Sequence, residues 1–221
     1  ELYDICAFAR KITIENKAWQ VGRIIARPFV GKSADTFKRT TNRHDYALKP
    51  FANTTLDSLS NAGFDVYAVG KIFDIFDGQG ITKTTRSKSN YEGMEITINH
   101  LNDDFNGICF TNLVDFDALY GHRRDILGYK NAIEEFDVQL GEFMEKMNDD
   151  DLLIITADHG NDPIHYGTDH TRELVPVIFY HKNIKGKELG TLLSFACIAQ
   201  TICDNFEVEK PLIGKSLLKE I

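Results

Sequence analysis

The stretch LLIITADHGNDPIHYGTDH, Leu152–His170, decides the fold and points toward the chemistry. It begins with the apolar run Leu152–Ile155 and leads within three residues to the adjacent pair Asp158 and His159. A short apolar run of this kind is typical of a buried strand in an α/β sheet, and ligands gather at the carboxyl ends of such strands. His170 follows in a loop that contains glycine and proline. The stretch therefore predicts a buried strand that ends in a binding site.

A second stretch upstream, ICFTNLVDFDALYGH (108–122), repeats the same design. Its apolar run is followed by Asp117 and then by His122, so that two strand ends each deliver a carboxylate and an imidazole. These ligand types suit Mn²⁺, Zn²⁺ or Fe²⁺ better than Mg²⁺ or Ca²⁺. The pattern predicts a metal site with five candidate ligands: Asp117, His122, Asp158, His159 and His170.

Five ligands are too many for one tetrahedral ion that keeps an open position, whereas two ions about 4 Å apart would use them well. Such a pair of ions clamps the attacking and leaving oxygens of a phosphoryl transfer. A single Asp–His pair is weak support, since capping and surface roles explain most such pairs. His165 lies in the same loop and competes with His170. Three further aspartates could support the ligands or, as we favour, serve as turn residues: Asp115, Asp162 and Asp169.

The composition is that of an ordinary globular protein. The chain has 221 residues, of which 43% are hydrophobic and 26% charged. The net charge of −8 argues against a nucleic-acid backbone or an anionic membrane surface as partner, and no apolar stretch is long enough to span a bilayer. The four cysteines show no CxxC spacing and are expected to be buried reduced thiols, which favours a cytoplasmic location: Cys6, Cys109, Cys197 and Cys203.

From about Leu48 the pattern alternates between strands and helices, which predicts βαβ units and a mostly parallel sheet. We expect strands at 64–70, 107–116, 152–156 and 175–180. We expect helices after a cap at Thr54 and over 91–101, 129–147 and 191–205, and a polar loop over 71–89. Residues 1–11 predict a helix, and 20–30 a strand interrupted by Pro28. The first section is too small to bury a core alone, and we interpret it as part of a larger domain.

At this point a resemblance becomes specific. VDFDALYGHRRD (114–125) and TADHGNDPIHYGTDHTRELVP (156–176) resemble the metal-binding segments of the phosphopentomutase family, within the alkaline phosphatase superfamily. GRIIARPFVG (22–31) and NRHDYALKPF (42–51) resemble that family at the end of its cap domain and the return into its core. The resemblance implies a mostly parallel sheet flanked by helices, with residues 1–47 as the end of an inserted α/β cap and 48–221 as the carboxyl-terminal part of the core.

The resemblance also implies an activity and a ligand set. Enzymes of that family interconvert ribose 1-phosphate and ribose 5-phosphate, or the deoxyribose equivalents, through a phosphothreonine and a pentose bisphosphate. By the same resemblance, Asp117, His122 and His170 match the ligands of one Mn²⁺, and Asp158 and His159 match ligands of the other. A further carboxylate ligand and the phosphothreonine lie in segments that these 221 residues do not match. We therefore expect a carboxyl-terminal half that shows no turnover alone.

The substrate contacts are less defined. Arg23, Arg27 and Arg39 lie in the section that resembles the cap, where guanidinium groups could hold a sugar phosphate. Lys71 directly follows the strand 64–70 and could steady a phosphoryl group, while solvated surface roles are about equally common for such side chains. Three functions stay open at this stage: the pentose mutase, another two-metal enzyme of the superfamily such as a phosphoglycerate mutase or phosphatase, and a non-catalytic fragment. The sequence leaves the oligomeric state undetermined.

Overall fold

The computed structural model describes residues 1–40 and 42–221, which divide into two compact units. The first unit consists of Glu1–Asn53 and Phe73–Gln79, and the second of Thr54–Ile72 and Gly80–Ile221. The boundary lies close to the division predicted at residues 47 and 48. That the two parts are a cap and a core stays a prediction.

The first unit is built on helix α1 (Leu2–Glu15) and two short antiparallel strand pairs. Strand β1 (Arg23–Ala26) pairs with β4 (His44–Ala47), and β2 (Phe29–Val30) pairs with β3 (Lys38–Arg39). Its core is thin, because the apolar side chains that are buried among its described residues are all small: Cys6, Ala26 and Ala47. Hydrogen bonds add to this small apolar core: the guanidinium of buried Arg10 on α1 donates to the carbonyl oxygens of Val21 and Tyr46.

A parallel three-stranded sheet forms the centre of the second unit, in the order β6-β5-β7. The strands are β5 (Asp65–Val69), β6 (Lys83–Thr85) and β7 (Gly107–Thr111), and Val69 pairs with Thr85 on one side and with Thr111 on the other. Their carboxyl ends therefore meet at one edge of the sheet. The fold is α/β, as predicted, but β6 lies in the section that we expected to be a loop, because its threonines were outweighed by the polar residues around them.

Helices flank this sheet and supply most of the core. They are α2 (Thr55–Asn61), α4 (Asn90–His100), α5 (Ile126–Lys146) and α6 (Ala196–Asn205); a short helix, α3 (Ile72–Ile75), follows β5 along the chain. Between α4 and α5, a cluster of buried side chains packs together: Met94, Ile98, Phe143 and Met147. Thr54 caps α2 through a reciprocal pair of hydrogen bonds with Asp57, as its position predicted.

The last two strands pair with each other antiparallel. Strand β8 (Leu153–Thr156) and strand β9 (Val177–Tyr180) are joined by a long loop that contains no helix. A parallel pair needs a crossover connection, usually a helix, whereas an antiparallel pair does not. The expectation of a mostly parallel sheet therefore holds for β5, β6 and β7 and is wrong for this pair. Among the described residues, no helix is both long and apolar enough to cross a membrane.

Candidate metal centre

The first strand end of the candidate centre is shaped by a π-helix, Phe116–Gly121. Strand β7 stops at Thr111, five residues short of the predicted end, and the chain then winds into this wider helix. The backbone N–H of His122 donates to the carbonyl oxygen of Asp117 at 3.1 Å, which is the five-residue spacing of a π-turn. Because one backbone hydrogen bond joins the two residues, Asp117 and His122 are held in the same turn.

The second strand end leads into the loop that follows β8, and an isolated β-bridge between Gly160 and Thr171 closes this loop. The N–H of Thr171 donates to the carbonyl oxygen of Gly160 at 2.9 Å, so the two ends of the loop lie side by side. As a result His159 and His170, eleven positions apart, stack ring on ring with centroids 3.6 Å apart and planes 15° apart. The loop that the sequence marked with glycine and proline is thus a closed loop that presents two imidazoles together.

The two strand ends meet at the Oδ1 atom of Asp117. The Nε2 of His122 lies 3.3 Å from this oxygen and the Nε2 of His170 lies 3.1 Å from it, while the two nitrogens are 3.2 Å apart. Two ligand atoms bound to one ion at about 2.1 Å lie roughly 3.0–3.4 Å apart in octahedral or tetrahedral geometry. The observed separations match that range. Asp117, His159 and His170 also each offer one ligand atom within 4.8 Å of the others.

Hydrogen bonds to backbone carbonyls determine which nitrogen of two rings carries a proton. The Nδ1 of His122 lies 2.6 Å from the carbonyl oxygen of Thr168, and the Nδ1 of His159 lies 3.1 Å from that of Gly160. A carbonyl only accepts, so each Nδ1 must donate. In a neutral ring the lone pair is then on Nε2, and that of His122 faces the carboxylate of Asp117. Facing acceptors need a cation between them, so this donor set fits a metal ion.

Asp158 is placed at the margin of this group. Its side chain is 81% exposed, and its Oδ2 lies 3.5 Å from the Nε2 of His159. The side chains of His159 and His170 are 30% and 46% exposed. Four of the five predicted ligands are therefore linked in one cluster, in which His170 contacts each of the other three, and the fifth lies beside His159. That these five side chains bind metal stays a prediction.

The electrostatic surroundings of the centre are acidic. Burial, followed by the negative charges of Glu173, Asp162 and Asp117, raises the pKa of the Tyr129 phenol. An open cavity of about 290 Å³ adjoins the centre, and it is lined by Asp162, His165, His170, Thr171, Arg172 and Glu173. His165 contributes to this cavity, whereas its competitor His170 contacts Asp117. An acidic site of this kind attracts cations and needs them before it can hold an anionic substrate.

The predicted substrate contacts lie elsewhere in the chain. In the first unit, Arg23 on β1 forms an ion pair with Asp45 at 3.5 Å, while Arg27 and Arg39 are exposed around β2 and β3. In the second unit, Lys71 follows β5 by two residues, at the edge of the sheet where β7 also ends. Their contact with substrate stays a prediction.

Several residues that support the centre were not predicted. Asn161 donates to Asp117, and Thr168 positions His122 through its backbone carbonyl. Asp115 is buried and accepts from the backbone N–H of Asn90 at 2.7 Å, which ties the start of the π-helix to α4. This contact spans 25 residues of sequence, unlike the local turn role that the sequence favours for Asp115. The sequence signal for Asn161 is its place in the Asp-His-Gly-Asn run, next to two predicted ligands. Thr168 acts through its backbone carbonyl, which every residue has, so the sequence gives no signal for it.

Comparison with known proteins agrees with this geometry. A family model described as the metalloenzyme superfamily matches residues 12–210, and the chain belongs to that superfamily. Among curated proteins, the chain is similar to the phosphopentomutase of Clostridium botulinum (strain Alaska E43 / Type E3), with 56% identity over 224 residues. The match covers 100% of this chain and 56% of the relative, so the chain spans about half the length of the curated relative it matches. The predicted resemblance is thereby confirmed.

Proposed function

We propose that this chain is part of a phosphopentomutase, which interconverts the 1-phosphate and 5-phosphate of ribose or deoxyribose. The observation that carries the proposal is the 56% identity to such an enzyme along the whole chain, together with the cluster of Asp117, His159 and His170 that offers ligand atoms to a cation. The phosphoryl group of an enzyme phosphothreonine would pass to the sugar monophosphate and give a bisphosphate. The other phosphoryl group of the bisphosphate would then return to the threonine.

Two Mn²⁺ ions would be held by Asp117, His122 and His170 on one side and by Asp158 and His159 on the other. When bound, they supply positive charge for the oxygens of the transferred phosphoryl group. The chain's own task is to keep these ligands in place: the carbonyl groups of Thr168 and Gly160 accept from Nδ1 of His122 and His159, so that Nε2 of each ring is left for an ion. This pre-organisation costs nothing at the moment of reaction.

Phosphate groups of the sugar would be bound by cationic side chains. Lys71 at the sheet edge is suited to a phosphoryl group near the ions, since it follows the carboxyl end of β5. Arg27 and Arg39 are exposed and suited to bidentate contact with a phosphate group. Arg23 is the weakest of the four candidates, because Asp45 already neutralises it and is shared with Arg43.

The proposal is tested by assaying the complete gene product with Mn²⁺, ribose 1-phosphate and a sugar bisphosphate activator. We expect ribose 5-phosphate to form, and the His159→Asn variant to lose most activity while His165→Asn keeps it. Phosphoglycerate mutase or phosphatase activity without pentose turnover would instead favour another enzyme of the superfamily. No turnover of any of these substrates would contradict an enzymatic role. We expect the 221-residue chain assayed alone to show no turnover, because none of its threonines stands in the context that the family's nucleophile requires; excess Mn²⁺ should not restore it.

A further inference from the structure

Asn161 is hydrogen-bonded to Oδ1 of Asp117, the oxygen on which the candidate metal centre converges. Its side-chain Nδ2 donates to the Oδ1 of Asp117 at 2.6 Å, across 44 residues of sequence. This is the same oxygen that the Nε2 atoms of His122 and His170 approach. The hydrogen bond also joins the two segments that supply the ligands, since Asn161 belongs to the loop after β8 and Asp117 to the π-helix.

The shape of the site around Asn161 is equally specific. Gly121, the last residue of the π-helix, is buried, and a Cβ added there would lie 2.5 Å from the Cγ of Asn161 and 2.6 Å from its Nδ2. The φ of Gly121 is not in the left-handed region, so its backbone does not require glycine. Glycine at this position therefore leaves room for the asparagine amide.

The chemistry of an amide suits this position. The torsion of an aspartate carboxylate about its last bond is broad, so a free Asp117 could turn Oδ1 away from the imidazoles. An amide N–H holds one lone pair of that oxygen and leaves the other for a cation, without adding charge. An aspartate in place of Asn161 would be nearly the same size, but it would offer no N–H and would place a second negative charge against Asp117.

We propose that Asn161 is a positioning residue that orients the carboxylate of Asp117 for metal binding, and that Gly121 provides the space for its amide. The inference rests on the proposed metal site. It predicts that loss of the amide weakens Mn²⁺ binding through Asp117, even though Asn161 itself binds no metal. Partners of this kind usually contribute about 10- to 100-fold to metal affinity.

The first test measures Mn²⁺ affinity by calorimetry and by the electron paramagnetic resonance of free Mn²⁺, on the chain and on Asn161→Asp and Asn161→Leu. We expect both variants to bind about 10- to 100-fold more weakly, while the metal-free variants still unfold cooperatively. The matched control is Asn102→Asp, because Asn102 is an exposed helix-end asparagine whose side chain donates only to the carbonyl of Asn99. We expect it to bind as tightly as the unsubstituted chain.

A double-mutant cycle guards against a variant that merely misfolds. Gly121→Ala should weaken Mn²⁺ binding by displacing the amide of Asn161. In an Asn161→Ala background, the same substitution should lower the Mn²⁺ affinity little further. Mn²⁺ affinities of Asn161→Leu within twofold of the unsubstituted chain, or fully additive effects in the cycle, would overturn the inference while the proposed function stands. Failure of the unsubstituted chain and of the complete gene product to bind Mn²⁺ would overturn both.

Discussion

At the scale of single residues, the candidate centre depends on which nitrogen of each histidine carries its proton. Carbonyl groups of Thr168 and Gly160 accept from Nδ1 of His122 and His159, which leaves Nε2 for a metal. Metal binding requires deprotonated ligand nitrogens, so protons compete with the metal for these nitrogens as the pH falls. The affinity for Mn²⁺ should therefore fall steeply between pH 7.5 and pH 5.5. Calorimetric titrations across this range provide the measurement, and a flat profile would argue against a site rich in histidine.

Cys109 is a second residue whose surroundings set its chemistry. Burial raises the pKa of its thiol to about 11, an effect that outweighs the lowering of this pKa by the hydrogen bond with Thr111. A raised thiol pKa favours the folded state below pH 9, and this contribution disappears as the pH rises from about 9 to about 11. We expect the rate of Cys109 alkylation by iodoacetamide, followed by mass spectrometry, to rise with a midpoint near pH 11. A midpoint at 9 would contradict the burial of this thiol.

At the scale of elements, two glycines offer a matched pair of substitutions. Gly70, which directly follows β5, has φ of +81°, and a Cβ there would lie 2.6 Å from the carbonyl oxygen of Asn112. Gly141 in helix α5 has nothing within 4 Å of the added atom. We expect Gly70→Ala to lower the free energy of unfolding by about 2 kcal/mol or more, because the left-handed conformation and the backbone clash both oppose a side chain.

The control substitution, Gly141→Ala, should raise the free energy of unfolding by up to about 1 kcal/mol, since alanine favours a helix over glycine. Urea unfolding of both variants measures these changes. Equal effects at the two positions would mean that the turn after β5 is not held as described.

An ion pair joins the residues that follow α4 to the edge strand β6. Asp103 accepts from Lys83 at 2.7 Å and contacts His100 at 2.8 Å, and these hydrogen bonds, Lys83 first, lower the pKa of its carboxyl. A lowered carboxyl pKa stabilises the fold above its unfolded value near 4, and the stabilisation is lost as the pH falls below it. Asp103→Asn should therefore show a smaller loss of melting temperature between pH 6 and pH 3 than the unsubstituted chain. An identical loss would contradict this role.

Helices and strands whose apolar residues repeat at a regular spacing were predictable. Features that depend on pairing between strands were not. Helix α5 and strands β5 and β8 follow from their own residues. The antiparallel pairing of β8 with β9 depends on the absence of a crossover helix, and the polar strand β6 depends on its neighbour β5. The π-helix at 116–121 differs from an α-helical turn in the spacing of a few hydrogen bonds, which no local pattern specifies. The clustering of Asp117, His159 and His170 was predictable, because carboxylates and imidazoles follow apolar strands. Their role as metal ligands stays a prediction, and Asn161 was not predicted.

At the scale of the whole molecule, the candidate residues divide between the two units. All five predicted metal ligands and Lys71 belong to the second unit, whereas Arg23, Arg27 and Arg39 belong to the first. Metal binding should therefore be a property of the second unit, and arginine substitutions in the first unit should leave it unchanged. In the mutase that we propose, those substitutions would raise KM for the sugar phosphate instead.

The most direct measurement of the central claim is Mn²⁺ binding at pH 7.5 by the chain and by two variants of the same loop. His170→Asn removes the imidazole 3.1 Å from Asp117, and His165→Asn removes an exposed imidazole of the adjoining cavity. We expect the unsubstituted chain and His165→Asn to bind Mn²⁺ with equal affinity. His170→Asn should bind more than about 100-fold more weakly, a larger loss than is usual when a residue that only hydrogen-bonds to a metal ligand is removed. Equal binding by both variants would contradict the metal centre described above.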